Sequence, residues 1–436
     1  MEAFDVGLIA AFVVVFGLVS RLAVGRSISG PMAFVGFGML IGPAALDLVD
    51  LDIDAAILEV LAEVALTVVL FTDATRIDVR ELRRSADIPA RLLTFGMPLT
   101  IVAGLAAGLV LLGDLAFWEA ALLAAILAPT DAALGQAVIS DEAIPVRVRQ
   151  ALNVESGLND GIAAPLVTIF LALAAFGIET GSAGMWARFA LQQIGYGLLI
   201  GAATGAIGGW LIDYCSTRNW MTDTFRQLST LALALAAFGF AVWVGGNGFV
   251  AAFIAGLAFG VVARDQCPNI ENLSEDEGQL LALLTFLFFG VAVAGPLLDE
   301  IGWQVLLYAV LSLTVVRGLP VAVSLAGTKL RPETRGLIGW FGPRGLASIA
   351  FVLMVLEEAD LPGSRTILLT VTCTVLLSVL AHGITAVPAA RAYSRRMATM
   401  SAAREEAMPE EMPTVEHPLR VTHRQRLLPA RRSNDP

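Results

Sequence analysis

Residues 118–131 read WEAALLAAILAPTD, and residues 151–171 read ALNVESGLNDGIAAPLVTIFL. Both stretches are apolar enough to cross a bilayer, yet each contains an aspartate that would lie within the membrane, Asp131 in the first and Asp160 in the second. A carboxylate near the middle of a membrane costs about 2.5–3.5 kcal/mol on insertion scales, so it is seldom present there without a function. Two such carboxylates on neighbouring spans predict a cation-binding site.

The whole chain has the composition of a membrane protein. Of its 436 residues, 57% are hydrophobic and 15% are charged, and the mean hydropathy is +0.76. A soluble domain carries about a quarter charged residues. Glu2 and Asp5 precede the first apolar run without any basic residue, which favours a first transmembrane helix over a cleaved signal peptide. We therefore expect an all-α, polytopic membrane protein.

Thirteen apolar runs are long enough to be spans. They cover residues 4–22, 28–45, 55–73, 88–112, 116–137, 151–177, 187–212, 228–244, 247–263, 279–296, 302–325, 336–356 and 363–388. The loops after odd-numbered runs are rich in arginine, as in 76–84, 147–149 and 329–335, whereas the other loops contain only Arg188 and Arg365 as basic residues. This asymmetry predicts an N-terminus outside the cell and a C-terminus in the cytoplasm.

The loops on the predicted outer side are acidic, and they include Asp47, Asp114, Glu119, Asp299 and Glu300. Such loops either form a vestibule that concentrates cations or only solvate the helix ends, and the sequence leaves both readings open.

Two other features concern organisation. Glycines recur every four residues on the seventh run, at Gly197, Gly201, Gly205 and Gly209. A smooth face of this kind allows close helix approach, either inside one subunit or between two. Residues 391–436 are polar, proline-containing and of mixed charge, which indicates a disordered cytoplasmic tail.

The first chemical feature is a break in the fifth span. Pro129 removes a backbone hydrogen bond, which is tolerated in lipid only where the freed carbonyls face protein or a water-filled cavity. Thr130 and Asp131 follow it, so carbonyl, hydroxyl and carboxylate oxygens are available together for a hard cation such as sodium.

On the sixth span, Ser156 and Asp160 share one helical face because they are four residues apart.

Asp131, Ser156 and Asp160 can therefore converge around one ion, with Asn159 supporting the cluster. Burial and a second nearby carboxylate both favour the protonated form of a carboxyl group. Proton release and cation capture then compete at one site, which is the basis of exchange.

Four further charges lie within apolar runs. An isolated arginine in the eleventh span is costly, so an ion pair between Glu155 and Arg317 with a structural role is the economical assignment. Arg344 lies in the FGPRG sequence of residues 341–345, a second interrupted helix. Paired breaks of this kind indicate an inverted-repeat transporter. Asp73 ends the third span, either as an accessory acid of the cytoplasmic funnel or as an ordinary interfacial carboxylate.

These motifs together resemble the cation:proton antiporter-1 family, the sodium/proton exchangers, and the likeness is closest to its prokaryotic, NhaP-type members. The motifs are PTD at 129–131, ESGLND at 155–160, RGLPV at 317–321 and GPRG at 342–345. They occur in the right order on the right spans, and the resemblance covers about residues 5–390.

The resemblance implies an inverted-repeat fold and a homodimer. An ion-carrying core of about residues 88–177 and 302–388, in which broken helices 5 and 12 cross near the membrane centre, would move against a dimerisation scaffold of about 4–73 and 187–296. Asp160 would be the essential acid for ions and protons, and Thr130, Asp131 and Ser156 would be its co-ligands for Na⁺.

The same resemblance associates Asn159 with electroneutral exchange and makes Glu155 and Arg317 the structural pair. Gly157 departs from the family pattern, since many relatives have a bulkier residue there. At the end of the third span, a shift of the alignment by one residue would place Thr72 rather than Asp73 on the ion path.

We expect a secondary active antiporter of the prokaryotic cell membrane that exchanges a monovalent cation for protons, with Na⁺ favoured and Li⁺ or K⁺ open. It would be neither an enzyme nor a nucleic-acid-binding protein, it would need no cofactor, and its partners would be ions, lipids and a second copy. The three cysteines and three histidines, including His382, are too scattered for a metal centre. An ion channel and an inactive sensor remain as alternatives, although the intact acids argue against the sensor.

Overall fold

A computed structural model of the chain describes residues 3–49, 55–77, 87–131, 134–135, 138, 144–176, 183–263, 267–358 and 360–398, and within them the fold is helical with no strand. The helices are α1 (Ala3–Gly25), α2 (Gly30–Ile41), α3 (Ala55–Thr75), α4 (Asp87–Leu111), α5 (Phe117–Ile126), α6 (Val146–Phe176), α7 (Ala183–Thr217), α8 (Asp223–Trp243), α9 (Gly248–Val262), α10 (Cys267–Phe289), α11 in two parts (Trp303–Leu313 and Val315–Ser324), α12a (Pro332–Trp340), α12b (Leu346–Glu358) and α13 (Ser364–Ala398).

Eight helices in the described part of the chain are long and apolar enough to cross a membrane, and four shorter apolar helices accompany them. The prediction of an all-α, polytopic membrane protein is therefore confirmed. The ends differ in places, since α5 stops at Ile126 and α13 continues to Ala398 instead of ending near residue 390. Residues 132–133 and 136–137 of the fifth predicted span, most of the 76–84 loop and tail residues 399–436 lie outside the described residues.

A tight turn separates α8 from α9, as the glycines at 245–248 predict. Gly245 has a φ of +82°, a conformation that favours glycine. The Asn247 side chain then caps α9 by accepting a hydrogen bond from Val250 N–H at 3.0 Å, and its amide donates to Thr168 Oγ1 of α6 at 3.0 Å. The turn thus fixes α9 against α6 as well as against α8.

The glycine face of α7 packs inside the subunit, on α9. A Cβ at Gly201 would lie 2.4 Å from Ala251 O, and one at Gly205 would lie 2.2 Å from Ala255 O. The backbones approach so closely that only glycine fits, as in other closely packed membrane helices. Of the two readings of this face, the structure shows the one within a subunit.

Two of the buried hydrophobic clusters each join a different group of helices. One consists of residues 88, 92, 138, 144, 148, 151, 152, 321, 325, 330, 337, 338, 341, 386, 390 and 393, which belong to α4, α6, α11–α13 and neighbouring segments. Another joins α3 to α7, α8 and α9 through side chains such as Phe71, Ile212 and Phe259. Because α3 also packs against α6 and α12b, it lies between the second group and the two helix breaks.

In the part of the chain that the structure describes, three interruptions occur that hydrophobic periodicity does not predict. α11 breaks at Thr314, where φ is −113° and ψ is −82°. Wider π-helical turns occur at Leu92–Gly96 within α4 and at Gly290–Ala294 after α10.

Candidate ion-binding site

The two breaks lie against each other, and Asp131 joins them. The backbone is non-helical at residues 129–131 and 341–345. Asp131 N–H donates to Pro343 O at 2.7 Å, and Asp131 Oδ2 accepts from Leu346 N–H, at the start of α12b, at 3.0 Å. A Cβ at Gly345 would lie 1.9 Å from that carboxylate oxygen. Gly345 thus allows Asp131 to cap α12b, where the helix dipole favours a negative charge.

A second bond crosses between the breaks. Ser348 Oγ, in the first turn of α12b, donates to Ile126 O at 2.9 Å. Ile126 is the last residue of α5. The broken fifth helix therefore has one of its freed carbonyls satisfied by protein, as a break within a membrane requires.

Side chains of α6 hold the other side of the α5 break. Asn159 Nδ2 donates to Thr130 Oγ1 at 2.7 Å, and Ser156 Oγ donates to Thr130 O. Thr130, Ser156 and Asn159 are all buried. The hydroxyl and carbonyl oxygens of Thr130 are thus placed directly against the polar face of α6 that the sequence predicts.

Asp160 lies one turn beyond Ser156 on that helix. Its Oδ1 and the Oδ1 of Asn159 are buried without a hydrogen-bond partner among the described residues. Buried oxygens that make no hydrogen bond are costly and need a structural or functional reason. The carboxylates of Asp131 and Asp73 are close enough to interact with Asp160 electrostatically. A desolvated cation would satisfy these oxygens and offset the clustered negative charge.

Asp73 of α3 lies beside Gly157 of α6. A Cβ at Gly157 would be 3.6 Å from the Asp73 Cβ, which is an ordinary contact distance. Gly157 is three residues before Asp160, so Asp73 belongs to the surroundings of the cluster. Thr72 is also buried, and its hydroxyl has no hydrogen-bond partner in the described part of the chain.

Glu155 and Arg317 form the ion pair that the sequence predicts. Arg317 Nη2 lies 2.6 Å from Glu155 Oε1, and the two side chains are 2% and 3% exposed. A Cβ at Gly342 would lie 2.5 Å from Arg317 Nε, so the guanidinium group rests on the α12 break. The pair thereby connects α6 and α11 to that break.

Arg344 is fully buried within the second break. Its Nη1 donates to Gly342 O, and its backbone N–H donates to Ser378 Oγ of α13 at 2.6 Å. The side chain therefore folds back and satisfies a carbonyl of its own broken segment.

Sequence reasoning counted Glu119 among the acids of the outer loops, as part of either a vestibule or a solvated helix end, but the structure buries it inside the protein. Glu119 is 3% exposed. Its Oε2 accepts from Ala116 N–H and its Oε1 from Gly363 N–H, both at 2.8 Å. It thus joins the start of α5 to the start of α13, whereas Asp47, Asp114, Asp299 and Glu300 are exposed.

Sequence reasoning also missed Ser378 and His382, which contact both sides of the α12 break. The available signal was two polar residues four apart within an apolar run.

Within the described residues, no group of three or more His, Cys, Asp or Glu side chains is arranged to hold a metal ion.

Comparison with known proteins identifies relatives of this chain. The family model described as "Sodium/hydrogen exchanger, transmembrane" matches residues 7–392. A K⁺/H⁺ antiporter NhaP2 from Shewanella oneidensis is 28% identical over 75% of this chain and 56% of its own length. A Na⁺/H⁺ antiporter NhaG from Bacillus atrophaeus is 28% identical over 63% of this chain and 52% of its own length. The chain thus spans a little more than half the length of these curated relatives.

The sodium proton antiporter MjNhaP1 from Methanocaldococcus jannaschii has a similar fold. Its structure at pH 8 superposes with a TM-score of 0.75, at 23% sequence identity, over 90% of this chain and 99% of that one.

Proposed function

The chain belongs to the transmembrane sodium/hydrogen exchanger family, and from this premise we propose that it is a secondary active antiporter that exchanges a monovalent cation for protons. The family consists of transporters rather than enzymes. The observation that carries the proposal is the buried Oδ1 of Asp160, which has no hydrogen-bond partner among the described residues, on the helix that contacts the joined breaks of α5 and α12.

The proposed site uses oxygens already in place. Asp160 and Asn159 supply the unpartnered oxygens, and Thr130, Ser156 and Asp131 complete an oxygen-rich shell of the kind that hard cations prefer. A carboxylate that lacks its cation in a buried position favours protonation. The cation and the proton therefore exclude each other at Asp160. If one proton leaves Asp160 for each monovalent cation that binds, transport is electroneutral, which is the exchange that the family resemblance associates with Asn159.

Na⁺ is the favoured cation, and K⁺ and Li⁺ are the others that the site would admit. The curated relatives include both a K⁺/H⁺ and a Na⁺/H⁺ antiporter. These ions share a ligand type, so only cavity size and ligand number would distinguish them.

Alternating access would come from movement of the core, about residues 88–177 and 302–388, against the scaffold, about 4–73 and 187–296. The hydrogen bonds around the breaks connect α5, α6, α12 and α13, while close glycine contacts connect α7 to α9. Asp73 lies on α3, the scaffold helix that packs against α6 and α12b of the core. The scaffold would form the homodimer, in a prokaryotic cell membrane with the N-terminus outside and the C-terminus in the cytoplasm.

The test uses purified protein in sealed vesicles with an imposed pH gradient and a fluorescent pH reporter. Na⁺, Li⁺ and K⁺ are added in turn, with and without an ionophore that clamps the membrane potential. Saturable dissipation by one cation, unchanged by the clamp, is expected and names the ion. Dissipation that requires the clamp would contradict electroneutral exchange, non-saturable conductance would favour a channel, and no response to any cation would refute the transport proposal.

A further inference from the structure

Three polar side chains of α13 face the break in α12. Ser378, His382 and Thr385 are spaced by four and three residues and so share one helical face. Ser378 and His382 are fully buried. Neither residue is part of the proposed ion shell, and no other feature of the site requires a histidine in an apolar helix.

Their hydrogen bonds span the break. Arg344 N–H, just before α12b, donates to Ser378 Oγ at 2.6 Å. His382 Nε2 lies 2.9 Å from Trp340 O, at the end of α12a. His382 Nδ1 lies 3.2 Å from Ser378 Oγ and 2.9 Å from Ser378 O.

The tautomer follows from these neighbours. A proton on His382 Nε2 is donated to Trp340 O. In a neutral imidazole Nδ1 is then an acceptor, and the Ser378 hydroxyl, which accepts from Arg344 N–H, donates to it. The contact of Nδ1 with Ser378 O at 2.9 Å carries no proton in this arrangement, and a second ring proton would be needed to make it a hydrogen bond. The bonds then run continuously from one side of the break to the other.

The α12 break needs such partners because helix ends leave backbone donors and acceptors unsatisfied, and lipid offers no substitutes. Trp340 is held further by its indole N–H, which donates to Thr385 Oγ1 at 3.0 Å, and by its ring, which lies 5.2 Å from the His382 ring. The position of α12b relative to α12a is therefore set by α13.

The same arrangement occurs at the other break. There, Ser156 and Asn159 of α6 bind Thr130 beside Pro129. Each broken helix is thus held by a pair of polar side chains about one turn apart on the helix that follows it in the chain. Ser156 and Asn159 belong to the proposed ion site itself, whereas Ser378 and His382 contact only the α12 break.

We propose that Ser378 and His382 are positioning residues for the ion site. They fix the α12 break, so that Leu346 N–H at the start of α12b holds the Asp131 carboxylate of the ion shell. The inference rests on the proposed function, because positioning Asp131 is useful only if that carboxylate serves the ion.

The test compares Ser378→Ala and His382→Leu with Thr374→Val. Thr374 is a matched control, since it is fully buried on α13 and its hydroxyl donates to Thr370 O of the same helix at 2.7 Å. Two quantities are measured, the apparent KM for the cation in vesicles and the hydrogen–deuterium exchange of backbone amides 342–346.

We expect the two test variants to raise KM by about threefold to tenfold, as the loss of one buried hydrogen bond implies, with a smaller change in maximal rate. The amides at 342–346 should exchange faster. Thr374→Val should alter neither quantity. His382→Gln, whose amide can still donate to Trp340 O, should restore a KM near that of the original protein.

A KM for Ser378→Ala equal to that of Thr374→Val would overturn the proposal. So would faster amide exchange without any change in KM, since the two residues would then serve stability alone. If Ser378→Ala does not fold, Ser378→Thr and Ser378→Cys replace it. The hydroxyl variant should keep the original KM, the thiol variant should raise it because a thiol bonds weakly, and equal values would overturn the proposal.

Amide exchange needs no transport. If the unmodified protein moved no cation, the proposed function would fail and the positioning role with it. The exchange data would still show separately whether α13 holds the break.

Discussion

Replacing Arg317 tests the structural role of the buried ion pair. Arg317 Nη2 is 2.6 Å from Glu155 Oε1, and both side chains are almost fully buried, at 2% and 3% exposure. Removal of one partner leaves the other charge buried and unpaired, which costs about 3–5 kcal/mol in comparable pairs. We therefore expect Arg317→Met to lower the free energy of unfolding by about 3–5 kcal/mol.

A matched control is available at the protein surface. Arg396 Nη2 lies 2.9 Å from Glu333 Oε1, but the side chains are 61% and 24% exposed. Exposed pairs contribute about 0–1 kcal/mol, so Arg396→Met should have little effect. The assay is the apparent melting temperature in mild detergent at one scan rate, because membrane proteins often unfold irreversibly.

A double-mutant cycle separates the pair from the loss of packing. Glu155→Gln combined with Arg317→Met removes both charges, so its cost should be smaller than the sum of the two single costs, by about 2–3 kcal/mol. If the single costs simply add, or if Arg317→Met melts at the same temperature as Arg396→Met, the reasoning about this pair is refuted.

Three other substitutions test the site and the packing. Asp160→Asn removes the titrating carboxylate, so cation-driven proton flux should fall to the level of protein-free vesicles while the melting temperature is retained; residual saturable flux would contradict its role. Thr130→Val removes the hydroxyl that accepts from Asn159 Nδ2 at 2.7 Å, so the KM for the cation should rise about twofold to tenfold, and an unchanged KM would remove Thr130 from the site. Gly205→Ala would place a Cβ 2.2 Å from a backbone carbonyl of α9 and should lower the melting temperature, whereas Gly239→Ala, with nothing within 4 Å, should not; equal temperatures would disprove this close approach.

The sequence predicted the features whose causes are local or whose alternatives are few. Pro129, and Pro343 between two glycines, favour helix breaks, and the structure has both breaks, whereas Pro165 and Pro388 lie inside α6 and α13. The pair of Glu155 and Arg317 was predictable because a buried arginine needs an acid, and few acids lie within spans. The placement of Ser156 and Asp160 on one face of α6 followed from helix geometry alone.

Other features depend on contacts that no local pattern reveals. Glu119 looks like an ordinary acid at a helix start, and only the approach of Gly363 shows that it is buried and bonded. His382 acquires its role from Trp340, 42 residues earlier in the chain. The break at Thr314 has no proline or glycine beside it, so the sequence gives no local signal for it.

The central claim is that a cation and a proton compete for Asp160. It is tested most directly by adding Na⁺, and then K⁺, to purified protein in weakly buffered detergent solution and measuring proton release. We predict saturable release of about one proton per chain, since cation ligands must lose their protons on binding, and none from Asp160→Asn. Cation binding without proton release, or release that persists in Asp160→Asn, would contradict the claim.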